Sequence, residues 1–329
     1  MKKWSILIIL LSLALIFTAC EPGAPPIAEE AQPEQAQPEA AQPEEPAAPP
    51  PTEPPPPTDT PEPTPEPPTA TPEPTAVPTL EPLAADPQEI EFQAADGFAL
   101  KGRYYPAAVN PAPMIVLHHW APGDMEDWNE IAFWFQNRGL SGTSPNVGAE
   151  PWLDPTWFPP MLEDRSFGVF SFTFRKCENG CSSFEPAGWL MDAQAAMETA
   201  YSLEGVDQLQ IIAMGASIGA DGAPDGCFWL NDLYPGSCLG ALSLSPGSYL
   251  TIDYAEAVTA VDEDGYPVWC FYATGDGESS RTCKSATGDF YQMYEWPGSD
   301  HGMMLIRPEI DPSAIQLMLD FVEMVFEIE

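Results

Sequence analysis

The segment from Gln208 to Gly222, QLQIIAMGASIGADG, constrains the fold more than any other part of this 329-residue chain. It opens with a short apolar run, Leu209 to Met214, whose length and composition are typical of a buried strand. The pattern G-x-S-x-G follows and leads into small residues, so a strand, a sharp turn and a helix are predicted in succession. Glycines two positions either side of Ser217 suit a turn whose backbone is crowded. This context favours a nucleophilic Ser217 over a turn serine of no chemical role.

The first twenty residues have the pattern of an export signal. Lysines at positions 2 and 3 precede an apolar stretch over 4–17, and Cys20 follows a threonine and an alanine. The pattern resembles a bacterial lipoprotein signal, which implies that Cys20 is lipidated and becomes the mature N-terminus. The alternative is a permanent transmembrane anchor in which Cys20 is incidental. Both interpretations predict an extracytoplasmic protein that is tethered to a lipid bilayer.

The next segment, residues 21–86, has the composition of a disordered spacer. It contains 23 of the chain's 41 prolines and 14 acidic residues, with no lysine, arginine or aromatic residue. Such a chain cannot bury enough apolar surface to offset the entropy lost on ordering. Proline favours the extended polyproline II conformation, so we expect a stalk that holds the following domain away from the membrane.

Residues 87–329 are long enough for one large domain, and predicted strands and helices alternate along them. A hairpin is expected at Asp96-Gly97, and a final amphipathic helix over 312–328. The alternation predicts an α/β fold with a mostly parallel sheet covered by helices on both faces. The segments predicted as strands are 89–94, 98–105, 114–118, 167–174, 209–214, 239–244, 267–273 and 290–295, and the earlier helices are 189–203 and the segment after Ser217.

Six cysteines follow the lipidation candidate, and an even number in an exported chain favours disulfides over free thiols. Six cysteines allow fifteen connectivities. Proximity in sequence suggests three short loops, closed by the pairs Cys177 with Cys181, Cys227 with Cys238, and Cys270 with Cys283. No second histidine or cysteine pair of zinc spacing accompanies Cys177 and Cys181, so no metal is predicted.

Acidic residues dominate the charge of the chain. Without the 14 acidic residues of the spacer and the two lysines of the leader, the 50 acidic and 11 basic residues leave a net charge of about −27 on the domain. A surface of this sign repels nucleic acid, which we exclude as a partner, and admits neutral or cationic substrates more easily. A solubilising role explains the acidic surface equally well.

A serine nucleophile needs a general base, and the base needs a third group to orient it. His301 follows the last predicted strand and precedes the final helix, so its loop should reach the edge of the sheet at which Ser217 lies. The strand over 267–273 leads into Thr274-Gly275-Asp276-Gly277-Glu278, which makes Asp276 the expected acid and Glu278 its rival. The chain order Ser, Asp, His is one of the known triad orders.

An oxyanion hole requires two donors. The backbone N–H of Ile218, directly after the nucleophile, is one candidate, and the N–H of Trp120, after the strand over 114–118, is the other. Pro122 lacks an N–H and is excluded. The adjacent His118 and His119 point to opposite faces of a strand, which makes them poor metal ligands, so packing or loop-fixing roles are expected.

The LHHW strand end, the GASIG turn, the ATGD loop and the GSDHG loop together resemble the α/β-hydrolase superfamily, over most of residues 87–329. Within this superfamily, the residues resemble the dienelactone-hydrolase-like and small esterase group. The resemblance implies an α/β-hydrolase fold, a triad of Ser217, Asp276 and His301, no cofactor, and oxyanion donors at Trp120 and Ile218. Dienelactone hydrolases proper usually carry cysteine where this chain has Ser217, so their substrate does not carry over.

Two further points stay open at the level of sequence. The long connection over 140–166 contains Trp152, Trp157 and Phe158, which either line a substrate pocket or pack over the sheet as a satellite cluster. The function expected first is hydrolysis of a small carboxylic ester. A peptidase would use the same residues, and a non-catalytic surface-binding lipoprotein would keep the fold without a reactive serine.

Overall fold

The computed structural model describes residues 80–144 and 153–328, and structural statements refer to these ranges. The predicted export signal with Cys20, the spacer up to residue 79, and Trp152 lie outside them. Within the described ranges no helix is both long and apolar enough to cross a bilayer.

Eight strands of the described ranges form one sheet in the order β1-β2-β4-β3-β5-β6-β7-β8. The hairpin strands β1 and β2 run antiparallel to each other, β2 runs antiparallel to β4, and the remaining neighbours are parallel. The mostly parallel sheet is therefore confirmed. The strands are β1 Gln88–Gln93, β2 Ala99–Tyr105, β3 Ala112–His118, β4 Gly168–Thr173, β5 Val206–Ala216, β6 Cys238–Leu244, β7 Val268–Ala273 and β8 Tyr291–Trp296.

Helices cover both faces of the sheet, as the alternating pattern predicts. One buried cluster joins α2, α3 and α4 to one face, with Trp189 and Val258 among its members. The other face packs against α1 and α6 through side chains that include Phe135 and Met318. The helices are α1 Asn129–Gln136, α2 Pro186–Ser202, α3 Ile218–Leu233, α4 Tyr254–Glu263, α5 Gly277–Ser285 and α6 Ala314–Val325.

The central strand β5 presents the nucleophile candidate, and its sequence explains its position. Ile211, Ile212 and Met214 are completely buried, because β5 lies between β3 and β6 with helices on both faces. The apolar run predicted as a strand is thus confirmed, although β5 begins at Val206, three residues earlier than expected. The predicted hairpin is also confirmed, with Gly97 at φ 82° in its turn.

Three helices are absent from the prediction. Helices α1, α4 and α5 are short, with 8, 10 and 9 residues, and α5 has the sequence GESSRTCKS, which contains no apolar stripe.

The boundary of the spacer also differs from the expected Asp86. The carbonyl of Leu83 accepts a hydrogen bond from Arg138 at 2.7 Å, and that of Ala85 accepts one from Gln136 at 2.7 Å. Leu83 and Ala85, which precede the expected boundary, therefore lie against the domain.

The three disulfides expected from proximity are confirmed. Cys177–Cys181 closes the loop after β4, Cys227–Cys238 joins α3 to β6, and Cys270–Cys283 joins β7 to α5. The last bond encloses the segment that contains Asp276, the expected acid.

The aromatic residues of the connection over 140–166 that the structure describes form a satellite cluster. Trp157 and Phe158 are partly buried against the core, and the Phe158 ring lies 5.4 Å from that of Trp134 on α1. The Trp134 indole N–H donates to the carbonyl of Pro159 at 2.9 Å. Of the two alternatives, packing over the sheet accounts for these two side chains.

Candidate active site

Ser217 occupies the sharp turn between β5 and α3. Its backbone has φ 55° and ψ −116°, a conformation that L-residues rarely adopt. The strain is sustained because the Ser217 N–H donates to the carbonyl of Leu244 on β6 at 2.9 Å, and α3 begins at the next residue. The side chain is thereby directed out of the sheet edge, although the residue as a whole is only 4% exposed.

The glycines on either side of Ser217 are required by close approach of the backbone. A Cβ at Gly215 would overlap the carbonyl oxygen of Gly219, one turn further along the chain. A Cβ at Gly219 would lie 2.5 Å from the carbonyl carbon of His118 and 2.6 Å from the carbonyl oxygen of His119. The G-x-S-x-G pattern therefore exists here for a steric reason, as predicted.

His301 lies between the other two members of the predicted triad. Its Nε2 is 2.9 Å from Ser217 Oγ, and its Nδ1 is 2.6 Å from Asp276 Oδ2. An ionised carboxylate only accepts hydrogen bonds, so Nδ1 carries the proton and Nε2 is left to accept one from the serine hydroxyl. The geometry is that of a nucleophile, a base and an orienting acid in one hydrogen-bonded line.

The loops that carry Asp276 and His301 are joined through their backbones. The N–H of Thr274 donates to the carbonyl of Trp296 at 2.8 Å, and that of Gly275 donates to Gly298 at 2.6 Å. Neighbouring parallel strands β7 and β8 thus continue their pairing beyond their ends. This pairing fixes the distance between the two side chains.

Asp276, and not its rival Glu278, contacts the histidine. Asp276 is also the N-cap of α5, and its side chain is 12% exposed. The Glu278 carboxylate is 48% exposed and pairs with Arg281 at 2.7 Å. The structure therefore brings together Ser217, Asp276 and His301.

The two expected oxyanion donors adjoin Ser217. Ile218 is the first residue of α3, where a backbone N–H has no partner within its own helix. Trp120 and Ser217 flank the same glycine, since a Cβ at Gly302 would lie 3.1 Å from the Trp120 indole and 3.7 Å from the Ser217 nitrogen. Their role as donors to an oxyanion stays a prediction.

Two buried side chains hold the Trp120 segment. The His119 Nε2 accepts the Phe174 N–H at 2.9 Å, so its Nδ1 carries the proton and donates to the Trp120 carbonyl at 2.7 Å. The Trp120 indole N–H donates to Asp127 at 2.5 Å. Burial lowers the pKa of His119 to about 4 and raises that of Asp127 to about 6. His119 therefore has the loop-fixing role expected of it.

His118 packs instead against aromatic side chains. Its ring is completely buried and lies 5.1 Å from that of Phe172, edge to face. Burial lowers the pKa of His118 to about 3, so the ring is neutral. Within the described ranges, no three His, Cys, Asp or Glu side chains are grouped to hold a metal ion.

Asp221 is a buried carboxylate that the sequence analysis did not single out. It lies on α3 one turn after Ser217 and accepts the N–H groups of Gly247, Ser248 and Tyr249 from the loop after β6. The Tyr249 ring stands 6.5 Å from that of His301, nearly perpendicular to it. Asp221 thus anchors one wall of the site. Burial raises its pKa to about 7, against the opposing effect of these backbone donors.

Comparison with known proteins supports the fold. No protein-family model matches the sequence. Over 132 residues the chain is 28% identical to an uncharacterized protein of Escherichia coli K12, YfhR, and the match spans 40% of this chain and only 38% of that protein. Among solved structures, the α/β hydrolase GrgF from Penicillium sp. sh18 superposes with a TM-score of 0.51 at 12% identity, covering 74% of this chain and 100% of that one.

A second structure, 2,6-dihydroxy-pseudo-oxynicotine hydrolase, gives a TM-score of 0.50 at 12% identity and covers 74% of this chain and 70% of its own. Identities this low concern the fold alone. The chain has the α/β-hydrolase fold, with a mostly parallel sheet and a serine at the turn after its central strand.

Proposed function

We propose that this protein is a serine hydrolase that cleaves small carboxylic esters through Ser217, His301 and Asp276. The observation that carries the proposal is the hydrogen-bonded line from Ser217 Oγ through His301 to Asp276, with separations of 2.9 and 2.6 Å. An unactivated serine would need neither the strained turn nor a histidine with a fixed proton position.

In the proposed mechanism, His301 Nε2 accepts the Ser217 proton while Oγ attacks the ester carbonyl. The N–H groups of Ile218 and Trp120 stabilise the oxyanion of the tetrahedral intermediate. His301 then donates its proton to the departing alcohol, which leaves an acyl-enzyme. Water, deprotonated by His301, attacks the acyl carbonyl. The bond to Ser217 Oγ then breaks, His301 returns the proton to Oγ, and the acid is released. Asp276 holds the imidazole and stabilises its positive charge in both halves of the cycle.

Charge supports neutral or cationic esters as the substrate class. The domain carries a net charge of about −27, counted from residue 87 onward. Close to the site, the negative charges of Asp221, Asp276 and Glu278 help burial to raise the pKa of the Tyr249 phenol to about 12. An anionic substrate would approach this site against repulsion.

The location proposed for the enzyme is the outer side of the bacterial cell membrane, anchored through lipid on Cys20. The support is the leader pattern and the proline-rich spacer, together with three disulfides, which persist in oxidising compartments. Cys20→Ala should move the protein from the membrane fraction to the soluble one and abolish labelling with a fatty-acid probe. Unchanged fractionation would remove Cys20 from the proposal.

The test of the activity is hydrolysis of p-nitrophenyl acetate and butyrate by the full chain with its disulfides formed. Ser217→Ala should lose turnover, whereas Ser202→Ala, at the end of α2, should retain it. Equal turnover by wild type and Ser217→Ala would exclude the mechanism. A parallel panel of p-nitroanilide peptides separates an esterase from a peptidase, because both would use the same three residues.

A further inference from the structure

The carboxylate of Asp276 accepts further hydrogen bonds besides the one from His301. The Ser279 hydroxyl donates to Oδ2 at 2.7 Å, and Oδ2 is the same oxygen that accepts the His301 Nδ1–H at 2.6 Å. The backbone N–H of Ser279 approaches the other oxygen, Oδ1, at 3.4 Å. Both oxygens of the carboxylate are therefore held from one residue.

Capping of α5 explains only part of this arrangement. An N-cap carboxylate needs one backbone N–H from the first turn, and the contact from the Ser279 nitrogen provides it. The hydroxyl contact is additional and concerns the oxygen that faces the histidine. Ser279 is completely buried, so no solvent competes for its hydroxyl. Asp276 is the only acceptor that the structure gives for that hydroxyl among the described residues.

The helix that carries Ser279 is itself fixed. The disulfide between Cys270 and Cys283 joins α5 to β7, the strand from which Asp276 emerges. The Lys284 ammonium lies 5.3 Å from the centre of the Tyr272 ring on the same strand. Ser279 is thereby held at a set distance from the carboxylate.

We propose that Ser279 is a positioning residue for the catalytic acid, the fourth member of a line that runs Ser217, His301, Asp276, Ser279. This inference rests on the proposed function. The two contacts prevent the carboxylate from rotating about its Cβ–Cγ bond, so Oδ2 stays aligned with His301 Nδ1. Without the hydroxyl, Oδ2 keeps one donor, and rotated carboxylate conformers that align the imidazole less well become populated.

The test compares the rate at which a fluorophosphonate labels Ser217 in the full, oxidised chain. A hydrogen bond to a charged group is lost in Ser279→Ala, and labelling should slow by roughly tenfold. Ser279→Thr keeps a hydroxyl and should restore most of the rate. Ser280→Ala is the matched control, because Ser280 follows on the same helix and contacts Lys284 instead. Urea unfolding of each variant verifies that the fold is intact.

A spectroscopic signature separates positioning from a general structural effect. We expect a far-downfield 1H resonance from the proton between His301 Nδ1 and Asp276, which are 2.6 Å apart. This resonance should shift in Ser279→Ala and return in Ser279→Thr. Labelling of Ser279→Ala at the wild-type rate with an unmoved resonance would overturn the inference. A slower rate in which the resonance does not move would also overturn it, since the loss would then be structural. Failure of the wild-type protein to label at all would instead refute the proposed function.

Discussion

The strained backbone of Ser217 predicts that a glycine at this position stabilises the protein although it removes the active hydroxyl. Its φ of 55° and ψ of −116° suit glycine, which lacks a Cβ, and penalise every L-residue. We therefore compare Ser217→Gly with Ser217→Ala. Both variants lose the hydroxyl and its contact with His301, so only the Cβ distinguishes them.

The expected difference follows from two opposing terms. A residue held in a sparsely populated backbone region costs about 1–3 kcal/mol, which glycine avoids. Glycine loses more conformational entropy on folding, at a cost of about 0.5–1 kcal/mol relative to alanine. The central values of the two terms make Ser217→Gly more stable than Ser217→Ala by about 1 kcal/mol, which corresponds to roughly 2–4 °C in melting temperature for a domain of this size.

The assay is urea unfolding followed by tryptophan fluorescence, on the full chain with its disulfides intact. Both variants should lack esterase activity, and the glycine variant should have the higher midpoint at an unchanged slope. A midpoint for Ser217→Gly equal to or below that of Ser217→Ala would refute the claim that the turn stores strain. The comparison does not depend on the substrate.

Three other predictions concern the surroundings of the nucleophile. Gly219→Ala should destabilise the domain by about 1–3 kcal/mol and abolish ester hydrolysis, because its Cβ overlaps the backbone of His118, whereas Gly277→Ala, with open space around it, should leave both unchanged. Equal behaviour of the two variants in urea unfolding and ester assays would contradict the steric argument. Asp276→Asn should reduce ester turnover by roughly 10²–10⁴-fold with little loss of stability, and a rate within twofold of wild type would remove the acid from the mechanism. Burial raises the pKa of Asp225 well above its usual value, so wild-type stability should fall as pH rises from about 4, where the unfolded carboxyl ionises. Asp225→Asn removes that loss, so its urea midpoint should rise relative to that of wild type as pH increases above about 4. A difference that stays constant with pH would contradict the assignment.

The convergence of Ser217, Asp276 and His301 was predictable because each residue follows a segment predicted as a strand. Ser217, Asp276 and His301 come after β5, β7 and β8, and the carboxyl ends of parallel strands meet at one edge of a sheet. The disulfides were predictable because their partners lie within 13 residues of each other. Local pattern and spacing were sufficient for these features.

The remaining parts of the site depend on contacts that cannot be predicted from a local sequence pattern. Helix α5 is polar and short, and it is stabilised by the Asp276 cap and a disulfide instead of an apolar face. Asp221 anchors a loop 26 to 28 residues away, so only the fold brings them together. For Ser279, the D-x-x-S spacing after Asp276 was a signal that could have been found, since it places the serine in the first turn of a capped helix.

The measurement that tests the central claim most directly is mass spectrometry of the full, oxidised chain after reaction with a fluorophosphonate. We predict a single adduct on the tryptic or chymotryptic peptide that contains Ser217, and its loss in His301→Ala, whose fold should be unchanged. No adduct on the folded wild-type protein would contradict an activated serine and favour a non-catalytic binding protein. An adduct that persists in His301→Ala would contradict the role of the histidine.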